Sequence, residues 1–155
     1  MSIISEQLKA IIQDENTKKV LASVSKKGEV HAVFKKYVEI DDEGNIVVYE
    51  LLDSSQTGRN LTYCLWFDKK VSLLVDVGDG ISYQIKGIPH RDIVTGPKYE
   101  EKYKEFLLKN PDNDLAGIWT IIPVEVRDET YEVRLKEERD TYPVIGHMDK
   151  DLRHS

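Results

Sequence analysis

The sequence predicts a mainly β, α+β domain: a small antiparallel barrel of about six strands with two or three short helices at its mouth. Three observations predict it. Short apolar runs recur at hairpin spacing, and turns rich in glycine or asparagine (KKGE, DDEGN, GDG) separate them. Two stretches change from a two-residue apolar repeat to a helical one. The 155 residues suit a single domain, with a core over about 8–130 and a tail over about 131–155.

Ser5 is placed to cap a first helix in which Leu8, Ile11 and Ile12 share a face. KVLASVS reads as a strand, and VHAVFKKYVEI as a second strand after the Lys26–Glu29 turn. Ala32, Phe34, Val38 and Ile40 share one parity there, interrupted by Lys36. Gly44 and Asn45 suit the next turn, and IVVYELL is the third strand of an antiparallel meander. From Thr57, the spacing of Leu61, Cys64 and Leu65 predicts a helix. KKVSLLVDV and ISYQIKGIPHRDIV return to strand. Pro97 suits the first position of a helix that puts Tyr99, Tyr103, Phe106 and Leu107 on one face. GIWTIIPVEV is a long late strand, and YEVRL reads as a further short one before a charged tail. Within that tail, Tyr142 and PVIGHM form an apolar patch suited to packing on a partner subunit.

Composition excludes several classes. Hydrophobic residues at 40% and charged residues at 32% are ordinary for a globular protein. A net charge of −6 without a dense basic run argues against nucleic acid and anionic membranes as partners. The start lacks the sections of a secretory signal, and no apolar run is long enough to span a bilayer. The one cysteine, Cys64, has no disulfide partner in the chain, and it shares the apolar face of its helix as a small core residue. A cytoplasmic setting is the expectation. His31, His90, His147 and His154 are scattered without metal spacing, so no metal is expected. Trp66, Trp119 and the tyrosines read as core and subunit contacts.

The stretch YELLDSSQTGRNL carries the candidate site. Ser54, Ser55 and Thr57 offer hydroxyl donors, Gly58 permits close backbone approach, and Arg59 offers charge. Together with a helix N-terminus, they are the groups that a phosphate dianion needs. The plainer reading is that Ser55 or Thr57 only caps the helix. Glu50 stands where the third strand leaves the sheet, as a ligand contact or a solvated strand end. Lys35 and Lys36 are neighbours on a strand and point to opposite faces. Lys36 shares parity with Phe34 and Val38, so a bulge turns it outward, or it snorkels, or it meets an anion.

VLASVSKKGEVHAV, IVVYELLDSSQTGRNLTYCLWFDKKVSLLV, IKGIPHRDIV and IWTIIPVEVRD, in this order, resemble the flavin-binding split-barrel superfamily, which includes the pyridoxamine 5′-phosphate oxidases. The resemblance covers roughly residues 8–130 and implies a six-stranded antiparallel split β-barrel. It implies a homodimer that holds FMN between its subunits. Phosphate contacts would come from the second strand, at Lys35 or Lys36, and from the crossing at Ser54, Ser55, Gln56, Thr57, Arg59 and Asn60, with Glu50 near the flavin. Family members often carry Ser-x-Lys-x-x-Asn-Leu in the crossing; here Ser55, Asn60 and Leu61 match, and Thr57 replaces the lysine. The oxidases' Arg-x-His motif has only Arg134, Leu135 and Lys136 as its counterpart, which argues against vitamin B6 phosphate oxidation. The resemblance implies a flavin-dependent oxidoreductase with no nameable side-chain catalyst and an unassigned substrate. A non-enzymatic ligand-binding or sensory role, and haem or a deazaflavin in place of FMN, are the alternatives.

Overall fold

The computed structural model describes residues 3–51, 56–93, 97–111 and 115–141. Ser5 caps α1 (Glu6–Gln13) by accepting the Leu8 N–H at 3.1 Å, and Leu8 and Ile12 are buried. The C-terminal end of α1 is held by Lys19, whose buried ammonium donates to the carbonyls of Ile12 and Asp14, both at 2.9 Å. These carbonyls have no partner within the helix, and a cation at this end also suits the helix dipole.

The strands are β1 (Lys18–Val24), β2 (Val30–Phe34), β3 (Val38–Ile40), β4 (Ile46–Glu50), β5 (Val71–Gly78), β6 (Ile81–Ile93) and β7 (Gly117–Asp128). α2 (Gln56–Trp66) and α3 (Pro97–Lys109) interrupt them, and α4 (Tyr131–Thr141) follows. All pairings are antiparallel, in the order β2-β1-β5-β6-β7-β4-β3. The edge strands β2 and β3 are separated in the chain only by residues 35–37. The Lys35 N–H donates to the Lys19 carbonyl, and the Tyr49 N–H donates to the Tyr37 carbonyl. One short segment therefore belongs to both edges, and the sheet must curl into a half-barrel to allow it.

This segment corrects the strand count from six to seven. The expected single strand over 30–40 breaks at Lys35–Tyr37 and its parity reverses. In β2, Val33 and His31 lie opposite Leu21 and the buried Ser23, whereas Val30 and Phe34 are 80% and 74% exposed. In β3, the even-numbered Val38 and Ile40 are buried opposite Val48 and Ile46. An extra outward residue at the corner lets the strand bend between two edges, as a bulge does. Lys36 accordingly faces solvent and not the apolar interior.

The barrel core holds Leu21, Val38, Ile40, Ile46, Val48, Leu73, Ile85, Trp119 and Ile121, with Leu61 and Cys64 closing it from α2. On the outer face of β4 and β7, Val47, Tyr49 and Ile118 pack against Phe106 of α3 and Leu115. β6 and β7 approach closely at Gly87, where an added Cβ would lie 2.5 Å from Ile121 Cγ2 and 2.7 Å from the Ile122 carbonyl oxygen. A second correction concerns YEVRL, which is the first half of α4 and not a strand. α4 buries none of its residues. Arg134 instead pairs along and beside the helix with Glu137 and Glu129. The patch from Tyr142 through PVIGHM lies outside the described residues, as does the rest of the tail.

Candidate functional site

β2 and β4 bring Lys35 and Glu50 together. The Lys35 ammonium donates to Glu50 at 3.0 Å, and the two side chains are only 13% and 8% exposed. Glu50 shares the inner parity of Ile46 and Val48, so a carboxylate terminates an otherwise apolar row and the lysine compensates it. Lys36 points the other way, with its ammonium 5.5 Å from the centroid of the Tyr37 ring. The two lysines thus occupy opposite surfaces.

The first turn of α2 holds most of the remaining candidates. Arg59 is exposed and donates through Nη2 to Gln56 Oε1 at 2.9 Å. Gln56 donates to Asn60 Oδ1 at 2.7 Å, and the buried Asn60 donates to Ser23 Oγ at 3.1 Å. This chain of amides fixes the helix start on β1 and holds the Arg59 guanidinium at the surface. Thr57, at the position matched to the family's lysine, is buried. Ser54 and Ser55 lie outside the described residues. Lys35 and Glu50 pair with each other at the ends of β2 and β4.

His31 is half-buried on the inner face opposite Ser23, and His90 is exposed. His147 and His154 lie outside the described residues. Cys64 is buried in the core, and burial pushes its thiol pKa up, away from reactive thiolate. Among the described residues, no three His, Cys, Asp or Glu side chains converge as metal ligands, and no helix is long and apolar enough to cross a membrane. Trp119 is buried, whereas Trp66 is exposed.

One feature escaped the sequence reading. Gln13, Glu15, Lys36–Glu39, Tyr49 and the C-terminal part of α3 line a cleft of about 290 Å³ on the outer side of the sheet. The Tyr49 hydroxyl donates to Glu39 there. Burial, this bond and the negative charges of Glu39 and Glu105 raise the Tyr49 pKa far above its usual value. The apolar face of α3 is legible in its residue spacing, whereas its placement over β4 arises only from tertiary packing.

The curled sheet with its inserted helices is a split-barrel fold that is also found in solved structures of other proteins. HupZ from Group A Streptococcus superposes with a TM-score of 0.69 at 18% identity, over 83% of this chain and 96% of that one. An FMN-binding protein from Syntrophomonas wolfei gives 0.64 at 14% identity, over 77% and 82%. HutZ, the haem storage protein of Vibrio cholerae, gives 0.60 at 12% identity, over 83% and 96%. An F420 reductase and two putative pyridoxamine 5′-phosphate oxidases share the fold at TM-scores of 0.57 to 0.60. No protein-family model and no curated protein sequence matches the chain. At these identities the likeness establishes the fold, and function belongs to the site.

Proposed function

We propose that the protein is a homodimeric FMN-binding split-barrel protein with a flavin-dependent oxidoreductase role. The observation that carries the reading is the first turn of α2, where an exposed guanidinium is fixed at the start of an 11-residue helix. A phosphate monoester placed there meets positive charge, the helix N–H groups and the Gln56 amide. The hydroxyls of Ser54 and Ser55 complete the proposed set. Lys35 contributes less than a free lysine would, because Glu50 matches its charge. Bound FMN would supply electron transfer, and the chain's part is to anchor the phosphate and limit solvent access to the ring.

The dimer rests on the exposed outer face of β1 and β2. Val30, Ala32 and Phe34 lie opposite Val24, Ala22 and Val20, which makes a continuous apolar strip with Val30 and Phe34 largely exposed among the described residues. Such strips mark association surfaces. A cytoplasmic setting belongs to the same reading, since the only thiol is buried and has no disulfide partner in the chain.

The Lys35–Glu50 pair favours a second reading, a cofactor that lacks a phosphate in this seat, such as haem, with a binding rather than an enzymatic role. The half-buried His31 is the described histidine best placed for an inner-face ligand.

Absorption spectra of the purified protein, before and after incubation with FMN, riboflavin or haemin and desalting, test both. Retention of FMN, with about tenfold weaker FMN binding in Arg59→Ala and unchanged riboflavin binding, is the expected result. A haem band that is lost in His31→Ala moves the assignment to the second reading. Equal effects of Arg59→Ala on FMN and riboflavin would remove the proposed phosphate seat.

A further inference from the structure

The cleft between β3, β4 and α3 is separate from the first turn of α2, and the cofactor reading makes no use of it. Its floor is aromatic. Tyr49 and Phe106 stack with centroids 5.3 Å apart, and Tyr37 meets Phe106 edge-on at 5.1 Å. Its volume of about 290 Å³ stands at the small end of ligand clefts.

Two carboxylates line the same cleft. Glu39 of β3 accepts the Tyr49 hydroxyl bond, and the charge of Glu105, from α3, also acts on that phenol. Among the described residues, neither carboxylate has a lysine or arginine within ion-pair distance. Lys36 and Lys109 border the same cleft without closing on them. Tyr49 offers no relief, because its one proton is already directed at Glu39. Two like charges near a low-polarity surface are stabilised by a cation between them. Aromatic faces favour the same sign of charge, and they supply the flat contact that a ring needs. An anionic ligand of equal shape would gain the ring contact and lose against both carboxylates.

We propose that this cleft binds a small primary amine carrying a single flat ring, with its ammonium group between Glu39 and Glu105 and its ring against the aromatic floor. The inference stands on the cleft itself and is independent of which cofactor the barrel takes. Lys36 and Lys109 set an upper limit on the charge the ligand carries, since a dication would meet them at the rim.

Benzylamine and benzoate, similar in shape and opposite in charge, test the assignment on the full chain at neutral pH. Followed by amide chemical shifts, benzylamine is expected to saturate below about 10 mM, with the shifts confined to residues 36–39, 49 and 105–110. Benzoate is expected not to saturate in that range. Glu105 is on the exposed side of a helix, so Glu105→Gln retains the fold even if Glu39→Gln does not. A loss of about tenfold in benzylamine affinity in either variant supports the site. Saturation by benzoate at the same concentrations, failure of benzylamine to saturate, or unchanged affinity in both variants would overturn it. Repeating the titration with FMN present keeps this result apart from the fate of the flavin reading.

Discussion

Single residues carry large electrostatic terms in this protein because several charged or ionisable groups are nearly out of water. Glu50 and Lys35 illustrate the asymmetry of a buried pair. Glu50→Gln leaves a nearly buried ammonium with a weaker partner, and Lys35→Met removes the counter-charge of a nearly buried carboxylate, so each is expected to cost about 3–5 kcal/mol. Lys35→Met combined with Glu50→Leu is expected to recover most of that loss. Denaturant unfolding of the three variants checks it, and strictly additive losses would show that the two groups do not act as a pair. Tyr49 gives a pH signature. Burial first, then Glu39, raise its pKa above the ordinary 10.0, so in alkali the unfolded chain ionises while the folded one does not. Stability from this group is intact below pH 10 and falls above it, by about 1.4 kcal/mol for each pH unit. Tyr49→Phe is expected to flatten that decline relative to the parent, and parallel pH profiles of thermal unfolding would contradict it.

Most elements were legible because their local chemistry agrees with their packing. Ser5 caps α1, Pro97 opens α3, and the spacing of Leu61 and Cys64 marks α2 and its buried face. Legibility failed at 30–40, where a two-residue repeat continues through a corner that only tertiary pairing creates. It failed again at Tyr131–Leu135, whose alternation resembles a strand although the segment is the first half of α4. The candidate site was partly legible in the same sense. Gln56, Arg59 and Asn60 share one turn and one hydrogen-bonded chain, but the pairing of Lys35 with Glu50, 15 residues apart, depends on β2 and β4 converging. The β6–β7 ladder adds a constraint that no local pattern carries. Gly87→Ala forces a methyl against Ile121 and the Ile122 backbone, and is expected to cost about 1–3 kcal/mol. A thermal midpoint equal to the parent would mean that the two strands can separate there without penalty.

At the scale of the whole molecule, α3 covers the outer face of β4 and β7, while among the described residues the outer face of β1 and β2 stays uncovered. The uncovered strip continues from β2 across β1 to β5, since Phe34 lies opposite Val20 and Val20 lies opposite Leu74. Solvating that strip costs free energy in proportion to its apolar area, and a second copy of the same face removes the cost on both sides. Phe34→Lys places a charge at its largest exposed side chain without touching the interior, because β2 turns that residue outward. Sedimentation is expected to give a dimer for the parent and a monomer for Phe34→Lys, with the fold retained by circular dichroism. A flavin held between subunits would then be released from the variant, whereas Arg59→Ala would weaken FMN without altering the mass. A monomeric parent would confine any cofactor to one chain, and a dimeric Phe34→Lys would move the interface off this face.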